Sequence, residues 1–408
     1  MSKVYIDTST PVGDTQSRTG TLALIALAVS AFGIGTTEFV PVGLLAAIAQ
    51  DLNMGIVWAG LLISGYAAGV AVGAPILTAL AGRLNRKTLL LWLMVVFIIG
   101  NSSAALSSSF PLLLISRFIT AFSHGVFFSI GSTIAVQLVP EHRKASAIAL
   151  MFTGLTIATV TGVPLGTFIG QTFGWRATFW GVALLGVVSM AAIAWLVPGN
   201  LRKPEPSRLS SMLPLLTHPK LLRALLITAL GYGGTFVAFT YLTPILQETM
   251  GLGEGMVSLV LLAYGVAVAI GNSIGGRWAN RHPARALFKM FLLQAAVLVL
   301  LSILLPHPAS GLVGVFLMGL LAFMNVPGLQ LYMVQLAEKY APSAVDVASA
   351  LNIAAFNIGI AAGSLIGGWV VDSIGLVHTP WVGALMVGGA IALTGYSLRQ
   401  DRKETGQG

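Results

Sequence analysis

Twelve long apolar runs restrict the fold of this sequence more than any other feature. A helix needs about 20 mostly apolar residues to cross a bilayer. A transmembrane β-barrel would instead alternate apolar and polar residues in strands of about ten residues. The pattern predicts an all-α polytopic membrane protein with twelve transmembrane helices. The runs cover roughly residues 21–48, 56–81, 88–107, 110–138, 145–172, 177–197, 221–248, 255–279, 286–306, 309–337, 345–371 and 380–398.

The composition excludes the main classes of soluble protein. Of the 408 residues, 56% are hydrophobic and 9% are charged, whereas soluble proteins carry about 25% charged residues. A water-facing surface for a chain of this length cannot be built from 13 acidic and 22 basic residues. The absence of cysteine excludes a disulfide scaffold and a thiolate metal site.

The basic residues alternate from loop to loop. Twenty of the 22 fall at the two termini or in even-numbered loops, while Arg176 lies in an odd-numbered loop and Arg117 lies inside the fourth run. The positive-inside rule therefore predicts a multi-pass membrane protein with both termini in the cytoplasm. Because topology accounts for the net charge of +9, membrane lipid is an expected partner and nucleic acid is not.

An internal repeat divides the chain. The segments 66–83 and 264–281 match at an offset of 198 residues, through Tyr66 and Tyr264, Gly73 and Gly271, and Arg83 and Arg281. The repeat predicts two pseudo-symmetric six-helix bundles, residues 1–198 and 221–408, joined by a cytoplasmic linker over residues 199–220. Transporters built from such repeats bind their substrate near the midplane, between the halves.

Four short segments of the sequence read TTEFVPVGLL at 36–45, GRLNRK at 82–87, GVPLG at 162–166 and GWRATF at 174–179. They resemble motifs of the major facilitator superfamily, and the resemblance extends over essentially the whole chain. It is closest to the bacterial twelve-span drug:proton antiporters and, within them, to the arabinose-efflux-permease-like sugar exporters. The resemblance implies the major facilitator fold, alternating access, export in exchange for protons and a location in the bacterial inner membrane, and we expect a monomer.

The loop between the second and third runs resembles the gating loop of that superfamily. Arg83, Arg86 and Lys87 match its basic positions. Gly82 stands where the family has an aspartate that helps to latch the cytoplasmic gate, and Thr78 and Asn85 replace two of its glycines. The three basic residues are our candidates for a gating loop.

Two charged residues, Glu38 and Arg117, lie well inside the predicted helices, where charges are costly and usually functional. Arg117 matches the fourth-span arginine of the family, and His124 lies two turns further along the same face. We expect Glu38 to carry the proton and Arg117 and His124 to assist it. The alternative is a permanent structural ion pair, with His124 bonded between helices.

Uncharged polar residues at mid-membrane depth are the candidates for substrate binding. Amide groups both donate and accept hydrogen bonds and would suit a sugar, although each could instead join two helices. Phenylalanines at 118, 122, 127 and 128 would favour a drug-like substrate instead. The polar candidates are Asn101, Tyr232, Tyr241, Asn325, Gln330 and Asn357, with Asn352 as a further polar residue at this depth.

These patterns favour proton-coupled export of a small organic solute, a sugar or a drug-like compound. The alternatives are proton-coupled or facilitative uptake and, from another class, a membrane sensor or enzyme on a transporter fold. No motif for ATP binding, zinc hydrolysis or serine hydrolysis occurs, so we expect no enzymatic activity, no cofactor and no metal. Asp346 and Asp372 lie at the ends of the eleventh run, where solvation or a helix N-terminus accounts for them.

Overall fold

The computed structural model describes residues 12–54, 56–82, 84–201 and 212–404. In this part of the chain, twelve helices are long and apolar enough to cross a membrane, which confirms the predicted number. They are α1 (Val12–Asp51), α2 (Leu61–Ala81), α3 (Arg86–Ala105), α4 (Phe110–Gln137), α5 (Lys144–Phe173), α6 (Trp175–Leu196), α7 (Pro219–Phe239), α8 (Glu254–Ala279), α9 (Pro283–Leu304), α10 (Pro308–Ala322 and Val326–Tyr340), α11 (Val345–Ile374) and α12 (Thr379–Glu404).

Prolines explain two departures from the predicted runs. α7 ends at Phe239, and the chain continues through a short helix, Leu242–Pro244, and a π-helical turn. α10 is interrupted after Ala322 and resumes with Pro327 in its first turn. Proline has no N–H to continue the helical hydrogen bonds, but it suits the first turn of a helix.

The two groups of six helices, α1–α6 and α7–α12, pack in the same way. In the first bundle α1 packs on α5 and α6, α2 on α4, and α3 on α4 and α6. The same five pairings recur six helices later in the second bundle. Contacts between the bundles are made by α2, α4 and α5 with α8, α10 and α11. This is the pseudo-symmetric architecture that the sequence repeat predicted.

The repeated glycines Gly73 and Gly271 lie at equivalent helix crossings. A Cβ atom on Gly73 in α2 would collide with the ring of Phe122 in α4. A Cβ atom on Gly271 in α8 would overlap the carbonyl oxygen of Leu320 in α10. Both positions therefore need glycine for close helix contact, as small residues commonly provide in membranes.

We expect Gly271→Val to prevent tight packing of α8 on α10 and to lower the yield of folded protein severalfold. A backbone carbonyl cannot move aside as a flexible side chain can, so the helices must separate. The matched control is Gly388→Val in α12, where an added Cβ meets no atom within 4 Å. Fluorescence-detected size-exclusion chromatography of both variants measures the effect, and equal yields would contradict the role of this crossing.

The ends of the helices form two faces. We call the face that carries the 2–3, 4–5, 6–7, 8–9 and 10–11 connections the basic face. On the opposite face, Arg176 and the Trp175 indole donate to the carboxylate of Asp51 at 2.7 and 3.1 Å. These hydrogen bonds, the one from Arg176 foremost, lower the pKa of Asp51 below its ordinary value. They fasten the end of α1 to the start of α6.

Candidate functional site

A proline in α1 leaves a backbone carbonyl free to accept a hydrogen bond from Arg117. Pro41 lacks an N–H, so the carbonyl of Thr37, four residues earlier, has no ordinary helical partner. Nη1 of the fully buried Arg117 donates to this carbonyl at 2.7 Å. The guanidinium also lies over the Tyr66 ring, 4.1 Å from its centroid, while Nη2 has no hydrogen-bond partner. Arg117 thus ties α4 to α1 and α2, directly beside Glu38.

Glu38 lies next to this tie and contacts a histidine. Its carboxylate is 3.8 Å from Nδ1 of His124, and its side chain is 21% exposed. The Tyr66 hydroxyl is 3.0 Å from the same Nδ1. The ion pairs of the described residues include none between Glu38 and Arg117. The sequence-predicted trio is therefore brought together, but without the direct Glu38–Arg117 pair that was one alternative.

Six aromatic rings of the second bundle form a continuous cluster, which we call the aromatic chamber. Tyr232 lies at its centre, with ring centroids 5.0, 5.5 and 4.9 Å from those of Phe236, Phe323 and Phe356. Tyr232 also lies close enough to Glu38 for an electrostatic interaction between the two bundles. The chamber is made of Tyr232, Phe236, Phe239, Tyr264, Phe323 and Phe356.

In the first bundle, the phenylalanines of α4 divide between two roles. The Phe128 ring is tilted against His124, at 4.9 Å between centroids, and against Phe152 of α5, at 5.0 Å. Phe118 and Phe122 instead contact glycines of α2. Only Phe128 of these three therefore extends the aromatic surroundings of Glu38 and His124.

Two of the candidate amides connect neighbouring helices within the second bundle. Asn325 donates to the Gln294 side chain at 2.9 Å. Gln330 donates to Ser349 at 2.6 Å and accepts from Asn352 at 2.8 Å. Both candidates are fully buried, and their side-chain donors are engaged within the protein, whereas Oδ1 of Asn325 has no hydrogen-bond partner.

The remaining polar candidates are also bonded internally. Asn101 accepts from Thr37 at 2.6 Å, and Asn357 donates to the Ile353 carbonyl of its own helix at 3.0 Å. The Tyr241 hydroxyl donates to the carbonyl of Ser364 at 3.1 Å, near the opposite face. Among the polar candidates, Tyr232 is the one that lies in the aromatic chamber.

Arg86 of the candidate gating loop joins the two bundles at the basic face. Its Nη2 lies 3.0 and 3.1 Å from the two carboxylate oxygens of Asp346 at the start of α11, and its Nη1 donates to Thr133 at 2.6 Å. Both members of the ion pair are 6% exposed. Lys87 instead donates to the Ala194 carbonyl within the first bundle, at 2.7 Å. The third candidate, Arg83, lies outside the described residues.

Further hydrogen bonds between the bundles lie near the same face. Ser129 of α4 donates to the Asp346 carbonyl at 2.8 Å and accepts from Ser349 through its own carbonyl at 2.9 Å. Asn280, the residue after the end of α8, donates to the Ser146 hydroxyl of α5 at 2.7 Å. The bundles are therefore closed against each other on the basic face.

Sequence reasoning missed two residues of these sites. Tyr66, which contacts both Arg117 and His124, occupies a repeated position that could have singled it out. Asp346 was interpreted as a helix-end acid, yet it is buried in the ion pair with Arg86, whereas Asp372 is exposed as expected. A buried pair separated by 260 residues leaves no local pattern. Among the described residues, no three His, Asp or Glu residues are grouped to hold a metal ion.

Comparison with known proteins decides the family. Residues 25–348 match the family model described as the Major Facilitator Superfamily. This chain belongs to the major facilitator superfamily. It is a transporter of a small solute, as members of this superfamily are.

The relatives cover nearly the whole chain. The uncharacterized MFS-type transporter YtbD of Bacillus subtilis is 59% identical over 94% of this chain and 96% of its own length. The inner membrane transport protein YdhP of Escherichia coli is 39% identical over 92% and 96%.

Solved structures share the fold. The fucose:proton symporter FucP of E. coli superimposes with a TM-score of 0.75 at 17% identity, over 93% of this chain and 99% of that one. The proton:xylose symporter XylE superimposes with a TM-score of 0.74 at 14% identity, over 92% and 95%. At such low identity these matches establish the fold alone.

Proposed function

We propose that this chain exports a small organic solute in exchange for protons, by alternating access. The observation that carries the proposal is the location of Glu38 and the contacts that its carboxylate makes. It is a partly exposed carboxylate within a membrane helix, close enough to Arg117 and to Tyr232 of the second bundle for electrostatic interaction, but it forms no ion pair with Arg117. Such a carboxylate can bind and release a proton without breaking a structural salt bridge.

Alternating access requires bundles that close at one face at a time. Closure at the basic face by Arg86, Asp346, Ser129 and Asn280 is consistent with a state that opens toward the opposite face. We propose that the basic face is cytoplasmic, since it carries the positive charge, and that the membrane is the bacterial inner membrane. The moving units are then residues 1–198 and 221–408, linked by 199–220, in a monomer.

The surroundings of Glu38 favour a lipophilic cation as the solute. Aromatic faces attract cations, and a carboxylate adds a counter-charge. A sugar would need hydrogen-bonding groups free to bind its hydroxyls, and the side-chain donors of Asn325, Gln330 and Asn357 are engaged within the protein. The aromatic chamber beside Glu38 thus supports the drug-like alternative over the sugar alternative.

We expect Phe236→Ala to weaken transport of a lipophilic cation by about tenfold, because an aromatic wall contributes about 1–2 kcal/mol to cation binding. Phe236 is half-buried, so the variant should fold. Phe118→Ala is the matched control, since Phe118 is also half-buried but packs on α2. Concentration dependence of transport should show a raised KM only for Phe236→Ala. A raised KM for Asn357→Ala, with Phe236→Ala unchanged, would indicate a hydroxyl-rich solute instead.

The proposed exchange can be tested in inverted membrane vesicles that hold an imposed pH gradient, read by a fluorescent dye. The panel consists of tetraphenylphosphonium, ethidium, chloramphenicol, arabinose and a nucleoside. A compound that dissipates the gradient only when this protein is present would support proton antiport and identify the solute class. Acceleration of proton movement in the same direction as the solute would indicate symport and overturn export. If no compound of the panel dissipates the gradient, although chromatography confirms folded protein, the result would count against proton coupling to any of these solute classes.

A further inference from the structure

A cavity lies in the second bundle, away from Glu38 and on the basic face. Its volume is about 620 Å³. The wall is formed by the connection between α8 and α9, the last turns of α10 and the end of α12. No step of the proposed transport cycle uses this cavity.

The cavity wall carries an excess of positive charge. Arg281, Arg285 and Lys339 line it and are exposed. Neither arginine forms a hydrogen bond or ion pair with another described residue, and Nζ of Lys339 lies 5.1 Å from the centroid of the Tyr340 ring. Asp401, also in the wall, forms an ion pair with Lys220 at 3.3 Å. With Arg402, four arginine and lysine side chains therefore line the cavity beside one carboxylate, and that carboxylate is already paired.

Topology explains why basic residues occur on this face but not why they surround a cavity. In the first bundle, the described cations of the equivalent loop are used within the protein, where Arg86 binds Asp346 and Lys87 binds a carbonyl. In the second bundle, Arg281 and Arg285 stay available at a concave surface. The same wall contains the start of α9 at Pro283, and the N-terminus of a long helix favours anions.

We propose that this cavity binds a phosphate-bearing anion. Guanidinium groups bind phosphate oxygens in pairs, and lysine adds a point charge. Basic cavities between membrane helices on this side of a bilayer suit the head groups of anionic lipids. A soluble phosphorylated compound would use the same contacts. The two sources share one chemistry and are distinguished by the test.

The test compares two triple variants of the full chain. The cavity variant is Arg281→Gln, Arg285→Gln and Lys339→Gln. The control variant removes the same charge from exposed residues of the same bundle that do not line the cavity: Arg277→Gln, Lys289→Gln and Arg399→Gln. All six positions are exposed, so both variants should unfold at the temperature of the unchanged protein.

Native mass spectrometry of the purified proteins measures retention of phosphatidylglycerol against phosphatidylcholine, and calorimetry measures binding of pyrophosphate. We expect the cavity variant to bind one of these phosphates on the order of tenfold more weakly, in a salt-dependent manner, since several charge contacts are lost together. The control variant should bind it as the unchanged protein does.

Loss of phosphatidylglycerol alone would support a lipid site, and loss of pyrophosphate alone a site for a soluble phosphate. Equal losses in both triple variants would mean that general surface charge holds the anion, which overturns the proposal. Failure of the unchanged protein to bind either probe would overturn it as well. These measurements do not involve transport, so their outcome does not depend on whether the antiport proposal is correct.

Discussion

Glu38→Gln should reduce transport driven by a pH gradient at least a hundredfold, while exchange of solute for solute continues at saturating solute with a raised KM, because the cation loses its counter-charge. Glutamine keeps the shape of the side chain but cannot bind or release a proton. If Glu38 is the proton carrier, the variant loses the coupling and keeps the solute pathway. Both activities are measured in proteoliposomes with the same labelled lipophilic cation.

The matched control for this variant is Glu248→Gln, an exposed carboxylate near the opposite face. It should leave both activities unchanged. His124 lies 3.8 Å from Glu38 and is the competing carrier. Gradient-driven transport that survives Glu38→Gln but is lost in His124→Gln would transfer the role to the histidine and contradict our assignment.

Arg86→Met should shift the protein away from the state closed at the basic face. The substitution leaves Asp346 buried without its cation, and removing one member of a buried ion pair costs about 3–5 kcal/mol. When the basic face opens, water can reach the carboxylate. We therefore expect the ratio of closed to open protein to fall by a factor of about 100 to a few thousand, at roughly 1.4 kcal/mol per tenfold change.

Because the sequence has no cysteine, spin labels attach only to cysteines that are introduced for the distance measurement. Spin labels on His142→Cys and His282→Cys, both exposed on the basic face, report the separation of the bundles. The distance distribution should move to longer values in Arg86→Met and return in part in the double variant Arg86→Met, Asp346→Leu, which has no unpaired charge. An unchanged distribution in Arg86→Met would show that the ion pair does not hold the face closed.

The helices and their division into two similar bundles could be predicted, because the helices depend on local composition and the division follows from the repeat. Twelve apolar runs define twelve helices, and the offset between Tyr66 and Tyr264 indicates the duplication. The break in α10 before Pro327 was not predicted, because a proline inside an apolar run can bend a helix or restart it.

The candidate site was only partly predictable. Glu38 and Arg117 were identified because a charged side chain is costly inside a membrane. His124 was added because its spacing places it on the same helix face as Arg117. The partner of Arg117 proved to be a carbonyl freed by Pro41 rather than Glu38. Buried amides are ambiguous in sequence, since binding a solute and joining two helices require the same groups. The pair of Arg86 with Asp346 depends on tertiary packing alone.

Proton release on solute binding tests the central proposal most directly. Purified protein in weakly buffered detergent is mixed with saturating tetraphenylphosphonium, or with the solute that the vesicle panel identifies, and the pH of the solution is recorded. We predict release of up to about one proton per bound solute, because one carboxylate alternates between proton and solute, and no release from Glu38→Gln. Binding by the unchanged protein with no proton release, or with proton uptake, would contradict exchange at Glu38.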